Sequence, residues 1–387
     1  MTNKYLTKFV FNNFVFIFFL MLAFFEPDII YLKFSYLDYF FKVILVISYS
    51  ISLVIFFENF QFKKFMNLII IFFLMIFAIT WIEAKGICWN STMTEYLSVV
   101  AMCIYVDAGL KYNFKKMLLS LIIILSLFIF INTVSVFLYP DGLYQIDTTY
   151  SYTKYWVLGH KNFHIRYILS DLVLIGIYFS IYNRKIRLLG YLMLVISLID
   201  VVEVESTTGL VALICFVILI FIGYVWKRKF KTKIFNIFLF FSLIFAFILL
   251  FNIQQYFSYF IENILGKDLT LTSRVYIWNN AVDYIENNFF FGQGVLDSAT
   301  VLYQLSATHP HSFYLNIFYQ SGLFGWLFTC IIIYIASKKL AKIDNRFLRC
   351  FLFSFYFVVF LMGIVESMEN MLLIFPLLLL GDVGEIK

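Results

Sequence analysis

The chain has 387 residues, 63% of them hydrophobic and only 13% charged, with a formal net charge of +6. That balance excludes a soluble globular enzyme. It also excludes nucleic-acid binding, because the basic residues sit in short connectors between apolar runs.

Phe alone occurs 51 times, and runs of about 20 apolar residues recur along the whole length, each long enough to cross a bilayer. The expected class is an all-α polytopic membrane protein. In chain order the runs predict twelve spans, at 9–25, 39–57, 65–82, 93–108, 117–139, 165–182, 188–204, 209–226, 234–253, 312–336, 346–365 and 368–382. The first follows Lys4 and Lys8 and lacks a small-x-small cleavage signal, so it reads as a retained anchor.

Charge sidedness sets the orientation. With the N-terminus inside, the inner segments hold 21 of the 29 basic residues, including Lys63 and Lys64, Lys227 to Lys233, and Lys338 to Arg349. Such asymmetry predicts both termini in the cytoplasm. All four His residues fall outside, and only Arg166 and Arg274 of the seven Arg do. Those two oppose the positive-inside bias. Headgroup contact, pairing with an acid, or an anionic substrate would each account for them.

Cys103, Cys215, Cys330 and Cys350 fall in or beside spans and only Cys88 lies clearly outside, so no disulfide framework and no zinc site is expected. No internal repeat is visible. The chain 1–387 reads as a single polytopic domain with two ordered outer elements, 140–165 and the large loop 254–311.

The first outer element contains Gly159-His160-Lys161-Asn162 and then His164 and Arg166, a basic patch on an acidic face. It suits either substrate or lipid headgroups. Ser206-Thr207-Thr208-Gly209 opens the eighth span just after Glu203 and Glu205, which are either solvated turn residues or substrate contacts. In the large loop, Trp278, Ala281, Val282 and Ile285 recur at helical spacing. Thr272 or Ser273 can cap this helix, and Asn287-Asn288 with Gly292-Gln293-Gly294 stop it. The expectation is an amphipathic helix lying on the outer membrane surface, with Arg274 in its first turn. Free N–H groups there favour an anion, and the Arg fork suits phosphate. The loop closes with His309-Pro310-His311-Ser312. A His at a water–lipid boundary can act as a base or serve as a plain polar contact. Gly322 and Gly325 are expected to allow close helix packing. Glu366 and Glu369 sit in the last outer turn.

The pattern of Gly159–Asn162, Ser206–Gly209, Ser273-Arg274 with Trp278, and His311-Ser312-x9-Gly322-x-x-Gly325 resembles the O-antigen polymerase and O-antigen ligase superfamily over about 159–325. The resemblance implies a glycosyltransferase with a GT-C-like membrane fold, whose donor is a glycan on undecaprenyl pyrophosphate. It implies that Arg274 and Arg166 hold the pyrophosphate, and that His311 is the base or the group orienting the acceptor. Lys161, His160, His309, Glu205 and Glu366 are the further substrate-binding candidates. No metal or cofactor is implied. The expected partners are the lipid-linked oligosaccharide, membrane lipids, and a chain-length regulator and flippase of the same pathway.

Arg166 stands four residues after Asn162, where the ligase pattern has an Arg directly after the Asn, which sets its role apart. Lys outnumbers Arg 22 to 7, which suggests an AT-rich genome of the kind many capsule-bearing Gram-positive bacteria have. Such cells lack a lipid A core, so the reading favoured is a capsule or exopolysaccharide polymerase. The alternatives are a ligase-type transferase and a lipid-linked oligosaccharide flippase or transporter. A transporter would show two similar halves with polar groups at mid-depth, and neither is apparent.

Overall fold

The computed structural model describes residues 5–59, 65–83, 89–148, 151–182, 184–225, 233–251, 274–367 and Pro376. It is 83% helical. Seven described helices are long and apolar enough to cross a membrane, or eight if one bent pair counts as a span. The protein is a multi-pass membrane protein. The expected twelfth span, Glu369, and the capping candidates Thr272 and Ser273 lie outside the described residues, Pro376 excepted.

The first expected span is broken. Helices α1 (Tyr5–Asn12) and α2 (Phe14–Leu22) meet at a 93° bend. Asn13 is extended (φ −106, ψ 114), and its side chain accepts from Val15 N–H to start the second helix. A short amide that competes with the helical backbone makes this break possible within an apolar run. Next come α3 (Asp28–Lys33), α4 (Ser35–Asn59) and α5 (Phe65–Glu83).

Helix α6 runs from Trp89 to Leu138 and merges the fourth and fifth expected spans. It is interrupted at Asn113 (φ −152, ψ 70). The Asn113 side chain accepts from Lys116 N–H and donates to the Phe11 carbonyl, so it starts the second arm and ties it to α1. Lys111, Lys115 and Lys116 cluster around this break.

The outer element after α6 is a three-stranded antiparallel sheet, which an all-α expectation did not include. Its strands are β1 (Tyr144–Thr148), β2 (Ser151–Trp156) and β3 (Gly159–His160), in that spatial order. Tyr, Ile, Thr and Trp dominate these strands, and such side chains suit a pleated surface.

Helix α7 (His164–Ile181) follows directly and is buried on nearly every side, so it is the central helix. Against it pack α8 (Arg187–Glu203) and α9 (Thr207–Val225), and α10 (Ile234–Phe251) follows in the chain. After the large loop come α11 (Arg274–Asn287), α12 (Ser298–Leu305), α13 (Phe313–Ala341) and α14 (Arg346–Met362). Gly176 of α7 lets α14 approach closely, since a Cβ there would come within 2.3 Å of the Phe351 ring.

Segments assigned by charge to the inner side meet one another. Arg346 donates to the Gly223 and Tyr224 carbonyls at the end of α9, and Asn345 donates to the Ser180 carbonyl of α7. Lys339 sits over the Phe65 ring.

Helix α11 starts at Arg274 and ends at Asn287, as the spacing predicts. Its apolar face faces protein, not the lipid surface expected. Ile277, Trp278, Ala281 and Ile285 are buried, Val282 is only half-buried, and Trp278 meets Phe245 of α10 edge-on at 5.1 Å. Helix α12 was not expected; Asp297 caps it by accepting from Thr300 N–H.

Gly322 does more than ease helix packing. It breaks α13 with φ 58 and ψ −160, a backbone region essentially restricted to glycine. The freed backbone groups are taken up by the segment 289–294. Leu323 and Phe324 N–H donate to the Phe289 and Phe290 carbonyls, while Tyr319 and Gln320 carbonyls accept from Gln293 and Gly294 N–H. Gly322→Ala is expected to destabilise the protein by roughly 1–3 kcal/mol, because its Cβ would lie 2.5 Å from the Phe290 carbonyl. Gly325→Ala is expected to destabilise as well, since its Cβ would lie 2.2 Å from Ser321 Cβ, which no side-chain rotation can clear. Thermal unfolding of the two purified variants against wild type checks both.

Candidate functional site

The four outer motifs converge. The turn between α8 and α9 places Ser206 so that its hydroxyl donates to Asn162 Oδ1 at 3.2 Å. Asn162 Nδ2 in turn donates to Glu366 Oε1 at 2.9 Å, and Arg274 Nη2 donates to the same oxygen at 2.7 Å. Arg274 sits in the first turn of α11, Glu366 just past α14, and Asn162 between β3 and α7. One carboxylate oxygen thus joins three separate chain segments. Both partners are poorly solvated, with side-chain exposures of 15% for Arg274 and 3% for Glu366. For Arg274, pairing with an acid is thus present in the structure.

Ser312 caps α13, and its hydroxyl also donates to the Gly363 carbonyl. This fixes the chain just before it. His311 adopts φ 51, a left-handed conformation, and its N–H donates to His309 Nδ1 at 3.1 Å. The two imidazoles lie 4.0 Å apart between centroids. His311 Nδ1 is buried with no hydrogen-bond partner among the described residues. Ser367, next to Glu366, lies 3.2 Å from His309 Nδ1. Arg166 stacks over the Phe163 ring at 4.6 Å.

A cavity of about 490 Å³ opens at Arg166, His309 and Ser367 and runs between α5, α6, α13 and α14. Beyond this polar mouth its walls are mostly apolar, among them Phe72, Ile76, Ile317 and Ile333. The mouth is cationic and the interior oily, the polarity of a phosphorylated lipid.

The sequence candidates divide. His160, Arg166, Arg274, His309, His311 and Glu366 are brought together, and Lys161 is tied alongside by donating to the Glu205 carbonyl at 3.2 Å. Glu205 supplies only that carbonyl in the structure; its side chain is exposed and its backbone has φ 53.

Sequence reading missed a second network beneath the site. His164 does not join the mouth. Its Nδ1 meets Asp200 Oδ1 at 2.7 Å, while Asn132 and Thr133 donate to Asp200 Oδ2 at 2.7 and 3.0 Å. Asn132 Oδ1 accepts from Leu158 N–H, and His164 Nε2 lies 3.3 Å from the Gly159 carbonyl. The network therefore bolts the end of the sheet to α6, α7 and α8. Asp171, two turns along α7 from His164, accepts from Ser126 through both oxygens at 3.0 Å. The available signal was an acid inside an apolar run, which is rare enough to ask for a partner.

Burial, aided by nearby cations, sets the protonation of the mouth. It holds His160 down to about 4, with Lys161 adding to the effect, and His309 down to about 4, with Arg166 and Arg274 adding. His311 is pushed to about 2 by burial and then by His309 and Arg274. Burial raises Glu366 above its ordinary value, opposed by Arg274 and Arg166. The imidazoles are thus neutral at pH 7. Their folded values lie below the unfolded one, so the unfolded chain binds more protons at pH below about 6.5. Stability is therefore expected to fall as pH drops from about 6.5 toward 4. A lower melting temperature at pH 4.5 than at 7 checks this. His309→Asn, whose Oδ1 can replace Nδ1 as acceptor, should make the fall shallower.

A search of curated proteins finds no match. Residues 192–330 match the family model Wzy_C, described as O-antigen ligase. This stretch carries Ser206, Arg274, His309, His311, Gly322 and Gly325. The chain therefore contains a domain of the O-antigen ligase family, in the O-antigen ligase and polymerase superfamily that its motifs resemble.

Proposed function

We propose that the protein is a polysaccharide polymerase of the cytoplasmic membrane. It transfers a growing glycan from undecaprenyl pyrophosphate to the non-reducing end of a lipid-linked repeat unit on the outer face. The observation that carries this reading is that Arg166 and His309 line the mouth of an apolar cavity, with Arg274 and His311 close enough to couple to them electrostatically. The cavity suits the isoprene units nearest the pyrophosphate. Arg166 and Arg274 stabilise the charge that develops on the leaving pyrophosphate, in a site of low polarity where fixed cations act strongly. His311 faces the acceptor hydroxyl as a neutral imidazole and orients it or takes its proton.

In this reading the chain makes twelve spans in one GT-C-like membrane domain with both termini inside, eleven of them drawn from the described helices and the twelfth, 368–382, outside the described residues. The bent α1–α2 pair is one span. The 43-residue segment Tyr96–Leu138 of α6 is about 65 Å long, twice the ~30 Å hydrocarbon core, and so makes two. Helices α8 and α14, with 17 residues each, suffice for one span apiece. A chain-length regulator and a flippase act with it in this reading. The ligase reading is kept because the family model carries that description.

Deleting the gene and separating surface polysaccharide on a gel tests the proposal. Loss of the ladder with retention of single repeat units is the polymerase result. Retention of full-length polymer on the lipid carrier, with none attached to a further acceptor, would assign a ligase instead.

A further inference from the structure

The three-stranded sheet beside the site has two unlike faces. Side chains at paired positions of antiparallel strands share a face, and neighbours along a strand point oppositely. Trp156 marks the inward face. It is buried with Val136 and Val204, and its indole N–H donates to the Tyr139 carbonyl.

Tyr144 pairs with Tyr155, and Tyr155 pairs with His160, so these three rings share the other face. They form a ladder across the strands. Tyr144 and Tyr155 stack at 5.4 Å, Tyr155 and His160 lie 5.8 Å apart, and His160 meets Phe163 edge-on at 6.1 Å. Arg166 then covers Phe163. Tyr144 is buried at one end, while Tyr155, His160 and Phe163 are half-exposed. The ladder ends at the cavity mouth, where Phe163 and Arg166 line the opening.

From this continuity we infer that the face bearing Tyr155, His160 and Phe163 is a saccharide-binding platform. It would hold the sugars adjoining the pyrophosphate of the donor glycan. A lipid tail in the cavity and a pyrophosphate at Arg166 leave the next units of the same molecule over Phe163. Sugar rings present C–H faces that stack on aromatic rings, with hydroxyls at their edges for polar neighbours. Here Asn162 and Lys161 border the ladder. The inference rests on the reading of the site as one for lipid-linked glycans.

The test uses the purified full chain and, as probe, the lipid-free repeat-unit oligosaccharide released by mild acid from the source cells' lipid-linked pool. Saturation-transfer NMR is expected to show binding to wild type and Tyr155→Phe, and about 3- to 10-fold weaker binding to Tyr155→Ala, the loss of one ring contact. A diazirine-bearing probe photolysed on wild type should label within 155–163, a readout independent of how well any variant folds. No binding to wild type, equal binding to a folded Tyr155→Ala protein, or labelling only elsewhere overturns the platform. Failure of wild type to elongate lipid-linked repeats while the oligosaccharide still binds would instead remove the polymerase reading and leave the platform standing.

Discussion

Arg274→Ala is expected to abolish polymer and to destabilise the protein together. The activity loss follows from removing a charged donor to the leaving pyrophosphate, about 1.5–3 kcal/mol, or roughly 10- to 150-fold in rate if realised in the transition state. The stability loss follows from Glu366, which would remain buried without its cation. Breaking such a pair from one side costs roughly 3–5 kcal/mol. The two effects separate in the double variant Arg274→Ala/Glu366→Gln. A neutral amide needs no cation, so the melting temperature should recover while elongation does not. Arg274→Lys should be nearly as inactive as Arg274→Ala. A single ammonium cannot hold Glu366 through one nitrogen and offer further donors to phosphate in a fixed plane. Wild-type elongation by a well-folded Lys variant would exclude this bridging role.

His311→Ala is expected to lower kcat by about 10²–10⁴-fold, the range for a positioned proton acceptor, with the lipid-linked single repeat accumulating. Held near 2, the imidazole is a weak base. Part of that depression comes from Arg274 and Arg166. A bound pyrophosphate offsets both cations and strengthens His311 as a base only when donor is present. The pH profile of kcat/KM, which reports the free enzyme, should therefore show no His311 titration between pH 5 and 8. The kcat profile should titrate at higher pH than the kcat/KM profile. Near wild-type turnover by purified His311→Ala would take this residue out of the mechanism.

Much of the membrane architecture was legible because bilayer crossing imposes length and apolarity on each segment, and α5, α7, α9 and α10 fall within a few residues of their expected spans. The order of the outer motifs was legible too. What joins them was not. Asn162 and Glu366 lie 204 positions apart, and nothing local to either residue points to the other. Asp200 escapes notice and His164 reads as part of the basic patch, because each looks like a lone polar residue near a span end. Their meaning lies in the pairing. The outer sheet was hidden by its aromatic content, which suits a membrane interface as well as a strand. The break at Gly322 was hidden because Gly-x-x-Gly within an apolar helix suggests close packing more readily than a kink.

The four backbone bonds between 289–294 and the broken α13 have a mechanical consequence. Helix α11 leads into that segment from one side, and α12 leads from it to His309 and His311 before the chain enters α13. The strap is thus riveted at its midpoint to the same helix that begins at its far end. Bilayers of different thickness tilt their spans, and such tilts shift loops that hang freely between helices. Here the Arg274 and His311 ends would travel with α13 as one rigid bracket. The spacing between the group that meets the phosphate and the group that meets the hydroxyl should then be insulated from the thickness of the surrounding lipid.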